Sequence, residues 1–324
     1  MHPIFSLFVT LLALGSAPAF AQDRGARGDD VAFAGNDGEY VPPPKNRLWY
    51  TNATFARVNP LGLVNIFKVG WRRRLSTKDS LLFKDTYIHT GPITMVTPAY
   101  ARLGWYGEAQ VLSLVRFFGQ VEGVGYYGTF DQIIGWNDPA SRYSDQTISS
   151  LSDQARAEIG WVVTFGGTLR AKAGPIAIRS TLSFTRYDLA LEDDEQFFYD
   201  QLWDRFAPDG GFMALNDLDL LYVKGKLRLG ARHTFSDTLD GRGSSTDGAL
   251  SHHRVGPLFA WQFTDKAPGA KVNQHTLFVL AQWWAQHPYR TGNEQPGGLP
   301  LIAIGFAFNG DLSTSATVQP PGAP

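Results

Sequence analysis

Between Arg47 and Phe308 the chain returns repeatedly to strict alternation of apolar and polar side chains. In the stretch from Tyr100 to Val111, Ala101, Leu103, Trp105, Ala109 and Val111 fall on one face. Tyr100, Arg102, Tyr106, Glu108 and Gln110 fall on the other. A strand has a side-chain period of two, so one face is apolar and its reverse is polar and charged. Reading this pattern along the chain predicts twelve strands in one domain: 47–58, 64–76, 81–91, 98–111, 116–128, 155–171, 175–189, 213–224, 226–235, 253–264, 274–286 and 299–309.

The connections after the fifth, seventh, ninth and eleventh of these strands are long. Those after the fourth, sixth, eighth and tenth are short, as at Leu112–Val115, Ala173-Gly174, Lys224–Lys226 and Lys266–Ala270. Long loops at one end and tight turns at the other are the habit of a membrane barrel, and an even strand number returns both termini to the same side. Ten or fourteen strands would satisfy the same rule.

In the last strand Ile302, Ile304, Phe306 and Phe308 share a face. A final strand with alternating aromatics resembles the terminal signal of bacterial outer-membrane β-barrel proteins, although here sixteen residues follow Phe308. The resemblance covers about 47–309 and is to the class rather than to one family. It implies an all-β fold, a transmembrane antiparallel β-barrel of about twelve strands in the outer membrane of a Gram-negative cell. It also implies contact with outer-membrane lipid and lipopolysaccharide and assembly by the barrel-assembly machinery.

The N-terminus agrees with export. Ile4 to Leu14 is mostly apolar, and Ala19-Phe-Ala21 is a small-x-small cleavage site before Gln22, the layout of a signal peptide over 1–21. No Lys or Arg precedes the apolar run, a departure from the usual layout. After it no stretch approaches the roughly 18 apolar residues of a membrane helix. Residues 22–46 read as a polar, glycine-rich periplasmic lead-in and 310–324 as a disordered C-terminal tail. Aromatic residues make up 13% of the chain, with nine Trp, which suits rings seated between lipid and headgroups. With no cysteine there is neither a disulfide framework nor a thiolate metal site, and a formal net charge of −1 points away from nucleic acid.

Alternation assigns an outward set that includes Leu103, Trp105, Phe117, Val121, Ile159, Trp161, Val163, Phe165, Ile178, Leu182, Phe184, Leu218, Leu220 and Leu227. The complementary, lumen-lining set is Arg102, Glu108, Arg116, Glu122, Glu158, Arg170, Arg179, Asp217, Asp219, Arg228 and Arg232, joined by Gln120, Thr164, Thr181 and Lys226. A charge on the lipid face near mid-bilayer costs about 2–4 kcal/mol, so the assignment of faces is strongly constrained. The arginines would form a basic wall and the acids would tune it. The competing arrangement pairs each arginine with a carboxylate across neighbouring strands and fills a narrow barrel. Arg72-Arg-Arg74 reads as strand-end side chains that snorkel to headgroups.

The segment after the seventh strand carries Glu192-Asp-Asp-Glu195 followed by Phe198, Leu202, Trp203 and Phe206. Four-residue spacing of Phe198, Leu202 and Phe206, with Asp193 or Asp194 as cap, predicts a short helix acting as a constriction or lid in the barrel mouth. Its acids are read as solvated, and no metal site or cofactor is expected. Ser251-His252-His253 stands where a lipid hydrolase of the outer membrane would hold its nucleophile and base, but no third group is legible. His89, His233, His275 and His287 lie on different strands or loops without ligand spacing. The reading is therefore not an enzyme but a porin-like channel for small polar or anionic solutes. Its alternatives are a plugged structural or adhesion barrel and a lipid hydrolase.

Overall fold

The computed structural model describes residues 44–313, except 79, 81, 84, 139, 240–250, 265–270 and 293–295, together with the backbone at 33–34 and 40–41. The expected signal peptide, most of the lead-in and the tail from 314 onward lie outside the described residues. Two-residue strands β1 (Phe33–Ala34) and β2 (Tyr40–Val41) pair with each other.

Alternation becomes one closed antiparallel sheet because lipid offers no partner to an open strand edge. Its twelve strands are β3 (Asn46–Val58), β4 (Gly62–Arg74), β5 (Tyr87–Val96), β6 (Tyr100–Leu112), β7 (Val115–Tyr127), β9 (Ala157–Ala173), β10 (Ile176–Leu189), β13 (Phe212–Lys224), β14 (Leu227–Thr238), β15 (His252–Gln262), β16 (Asn273–Gln286) and β17 (Leu301–Asp311). Each pairs with its neighbour in the chain, and β17 closes on β3 from Ile302↔Val58 to Asp311↔Trp49. The remaining strands, β8 (Gly135–Trp136), β11 (Phe197–Asp200) and β12 (Arg205–Pro208), form a separate three-stranded sheet in the order β12-β11-β8. Helix α1 (Asp145–Ser150) begins at Ser144, whose Oγ accepts from the Thr147 amide at 3.3 Å.

The end that carries the β3 start and the β17 finish also carries the tight turns at 113–114, 174–175 and 225–226. Loops 128–156 and 190–211 leave the opposite end. In the membrane-barrel convention the first is the periplasmic base and the second the extracellular mouth.

The outer wall is apolar. Leu103, Trp105, Phe117, Ile159, Trp161, Leu169 and Leu220 are each more than half exposed, which in water would be untenable over so wide a band. The chain is a transmembrane β-barrel, and this band is its lipid face. Polar side chains that do face outward bond to each other. The Asn65 amide donates to Asn52 Oδ1 at 3.1 Å and to Thr54 Oγ1 at 2.9 Å, and Trp105 Nε1 donates to Thr90 Oγ1 at 2.8 Å.

The third strand lies later than the sequence suggested, at Tyr87–Val96 instead of 81–91. Pro92, which has no amide to give a ladder, argues against a strand through it. The chain solves this with a gap in the β4–β5 ladder: pairing runs Lys68↔Ile93 and then Trp71↔Thr90, and Pro92 falls between. Gly166, in β9, is explained by proximity. A Cβ there would lie 2.1 Å from the Leu182 carbonyl oxygen and 2.8 Å from the Phe118 ring, so the ring lies over bare backbone.

The lipid-face assignment makes a depth-dependent prediction. Val121→Arg, near the middle of β7, should destabilise the folded barrel by about 2–4 kcal/mol, whereas Leu114→Arg, in the base turn, should cost about 0–1. Reversible guanidinium unfolding in lipid vesicles measures both. Equal costs at the two depths would place the bilayer elsewhere.

Candidate functional site: the lumen and its stoppered mouth

Inward-facing charges on the barrel strands fall into compact clusters. On β4 to β7 the carboxylate of Glu108 is the hub. His89 Nδ1 lies 3.1 Å from it, Tyr87 donates its hydroxyl at 3.3 Å, and Arg72 and Arg116 approach within 3.8 and 3.7 Å. The Arg72 guanidinium lies 4.0 Å from the Tyr87 ring centre and 5.1 Å from that of Trp49. Arg72 is therefore a buried lumen residue, not a snorkelling one: position 72 alternates inward, while its neighbour Arg73 is exposed.

Across the barrel Asp219 plays the same part. Arg179 Nε donates to it at 2.8 Å and Arg232 Nε at 2.7 Å, and Arg232 also bridges to Asp217 at 3.0 Å. Thr234 donates to Asp217 at 2.6 Å. Register explains the hub, since Asp219 of β13 is opposite Arg179 of β10 on one side and Arg232 of β14 on the other. Nearer the mouth, Gln120 donates to Glu122 at 2.7 Å and Arg102 donates to the Tyr187 hydroxyl at 3.0 Å. Arg170 and Arg228 are half-buried towards the base, with Arg170 Nε on the Ser113 carbonyl at 2.7 Å. Glu158 is half-buried at the mouth, 3.6 Å from Arg156. The basic wall is thus interleaved with acids. A surplus remains among the described buried residues of the barrel strands: Arg47, Arg57, Lys68, Arg72, Arg102, Arg116, Arg179, Arg232 and Arg254 against Glu108, Glu122, Asp217, Asp219 and Asp311.

The segment expected to form a helix is instead the β11–β12 hairpin. Asp200 explains the difference. Its Oδ1 accepts the Leu202 amide at 2.6 Å and its carbonyl accepts Trp203 N at 3.2 Å, a local turn that competes with a helix. Asp204 ends the turn with φ of 55°, a conformation that Asp tolerates better than most residues. Phe198, Leu202, Trp203 and Phe206 are all buried, the first three in the same apolar cluster as the upper barrel wall. Phe206 packs instead with Tyr143, Ile148, Phe197 and Tyr199.

Polar bonds tie this stopper to the wall and loops. Arg57 donates to the Gln201 and Leu202 carbonyls, Tyr187 donates to Asp200, and Arg205 donates to Thr238 Oγ1 at 2.7 Å. Arg290 is the principal clamp. It grips both oxygens of Asp204 and reaches Asp145 of α1 at 2.9 Å and Asn59 Oδ1 at 2.8 Å. Tyr199 adds a hydroxyl to Asp204 at 2.7 Å. Paired with Arg290, the Asp204 carboxyl is held well below its ordinary range despite its burial.

His287 is bonded as a neutral ring. Its Nε2 donates to the Asp204 carbonyl at 3.0 Å, and its Nδ1 accepts the Tyr289 amide at 3.1 Å. Burial pushes it down to about 4, outweighing the attraction of Asp204. The ring of His252 lies 4.2 Å from it, centre to centre, and Tyr143 contacts His252 Nε2 at 3.0 Å. This cluster has no sequence signal, because its members come from three connections and the start of β15, far apart in the chain. Adjacent His253 points the other way, onto the outer wall, where its Nδ1 meets His233 Nε2 at 3.1 Å.

No family model matches the chain, and no curated protein does. Among solved structures it is similar to the NanC porin, at 7% identity with a TM-score of 0.35, over 80% of this chain and 98% of that one. The Pseudomonas putida toluene transporter TodX matches at 8% identity and 0.35, over 93% and 94%. The translocator domain of the autotransporter NalP from Neisseria meningitidis matches at 12% and 0.31, over 90% and 94%. Matches at these scores bear on neither cargo nor mechanism. What the geometry itself gives is an outer-membrane type of barrel with a charged interior and a stopper in its mouth.

The neutral His287 sets a pH dependence. Its value in the stoppered mouth lies below its ordinary 6.5, so stoppering is fully favoured above pH 6.5 and loses stability as pH falls towards about 4. The loss totals about 3 kcal/mol, and Asp204 stays ionised throughout. Hydrogen exchange at the 197–208 amides, corrected for intrinsic rates, should show protection falling across that window in the native chain and not in His252→Gln/His287→Gln, which removes both buried imidazoles of the mouth. Constant protection from pH 7 to 4 would contradict the assignment.

Proposed function

We propose that this protein is a porin-like channel of the outer membrane for small anionic solutes, closed at rest by the 197–208 hairpin. The observation that carries the reading is the state of the interior polar atoms. Both ends of the Gln110 amide, Glu122 Oε1, Gln274 Nε2 and Asn309 Oδ1 are buried and find no hydrogen-bond partner among the described protein residues. A barrel filled only for rigidity leaves few such atoms, because each unpartnered polar group costs about 1–3 kcal/mol. Polar atoms of this kind suit a lining that solvates what passes.

The surplus of buried cations over acids supports anions as cargo, since a low-dielectric wall strengthens the field of each unbalanced charge. The stopper supports gating. Beside its apolar contacts with the wall, its polar ties are ion pairs and hydrogen bonds, which exchange for water without breaking a covalent bond, and the hairpin is bounded by loops on both sides. The lipid-hydrolase reading gains no support, because His253 bonds to His233 rather than to a nucleophile.

Planar-bilayer recording of the refolded chain should give rare, short openings. Replacing the clamp in Asp204→Ala/Arg290→Ala should raise open probability by roughly tenfold or more, since a buried pair of this kind carries several kcal/mol. In a salt gradient the open state should prefer anions, and Arg102→Glu/Arg116→Glu should shift the reversal potential towards cations. A correctly folded double variant without conductance would favour the structural barrel.

A further inference from the structure

A cavity of about 550 Å³ lies at the rim of the mouth, outside the lumen. Its floor is the turn after β3, its roof is the segment at 130–132 and the start of α1, and the stopper forms its inner side through Tyr199 and Gln201. The volume falls in the range of sites for small organic ligands. Most of the wall is apolar: Val58, Leu61, Phe130, Ile148, Leu299 and Ile302. Val58 and Ile302 are paired across the closing ladder and point outward, so the cavity begins where the lipid face ends.

Two carboxylates enter this apolar space. Asp145 is occupied by Arg290. Among the described residues Asp131 has no hydrogen-bond or ion-pair partner, and partial burial raises its pKa above the ordinary 3.8. Asp131 and Asn59, with φ of 58° each, share the left-handed region, which Asp and Asn tolerate. The backbone that presents Asp131 is strained at Phe130, an aromatic residue with φ of 59°. Such residues persist only where the surroundings over-determine them, and they gather at ligand clamps.

We propose that the rim cavity binds a small cationic amphiphile, an ammonium group on an apolar body, with Asp131 as its counter-ion. Asp131 supplies the charge, the six apolar residues take the body, and the Gln132 and Gln201 side chains, in contact at 3.3 Å, border the polar end. An anion would meet an unfavourable field in an apolar cleft whose Asp131 carboxylate has no cation beside it among the described residues. Gln201 belongs to the stopper, and Arg57 holds its carbonyl, so an occupant touches the element that closes the mouth. Binding itself does not depend on the channel reading.

The test is calorimetric titration of the full chain in phosphatidylcholine nanodiscs with hexylamine, 1-hexanol and hexanoate, with empty nanodiscs as the blank. Hexylamine should bind saturably at one site, with hexanol and hexanoate about tenfold weaker or worse, the size of one charge-assisted contact. Asp131→Asn should weaken hexylamine about tenfold and leave hexanol unchanged. Ile148→Trp, which fills the cavity, should remove both. Far-ultraviolet circular dichroism checks that each variant keeps its strands, and an Asp131→Glu variant that retains hexylamine preference covers a misfolded asparagine variant. Equal affinity for all three head groups, an unaltered Asp131→Asn, or uptake matching the empty nanodiscs would overturn the proposal. A silent bilayer recording would not.

Discussion

The ladder between β17 and β3 is the constraint on which the rest depends. Lipid cannot solvate a free amide or carbonyl, so the first and last strands must meet, and everything else is arranged around the cylinder that results. Closure divides every strand into a lipid side and an interior side with no third choice. Side chains that alternate in sequence therefore separate completely in space: Ile302, Ile304 and Phe306 face lipid, and Arg57 and Thr51 on the facing strand turn inward.

Charges gathered inside must then be balanced inside. Glu108 and Asp219 each serve two arginines, an arrangement that offsets desolvation only while every member stays in place. At the mouth the same economy connects elements that share no strand. One guanidinium, Arg290, holds the stopper, α1 and the turn after β3, so removing that guanidinium loosens three elements together. His287 adds a group whose neutrality is a condition of that arrangement.

Much of the barrel was legible in the sequence because a period of two, repeated over strands of 10 to 17 residues, has few competing explanations. The faces followed directly, as Leu103 and Arg102 show. Two features resisted. Pro92 interrupts the third strand, and only the partner strand reveals that the ladder skips around it. The hairpin imitated a helix because Phe198, Leu202 and Phe206 have helical spacing, whereas the two hydrogen bonds that Asp200 accepts from Leu202 N and Trp203 N turn the backbone. The mouth cluster of Asp204, His287, Arg290 and Tyr143 was not legible at all, since tertiary contact alone assembles it. Nor did the sequence distinguish a basic wall from paired charges; that depends on register, which places Asp219 between two arginines.

The central claim is that the stopper alone separates the polar interior from the outside. The chain contains no cysteine, so one placed at Thr181, buried in the lumen wall, reports access without background. The measurement is the rate at which a small, membrane-impermeant, negatively charged methanethiosulfonate, added outside vesicles that hold the barrel with its mouth outward, modifies that cysteine at pH 7.5 and again at pH 4.5, corrected for the thiolate fraction. The account predicts slow modification at pH 7.5 and a clear rise in the corrected rate at pH 4.5 that His252→Gln/His287→Gln removes. Rapid labelling at both pH values would show that the mouth is open, and none at either would show a solid core; both would contradict it.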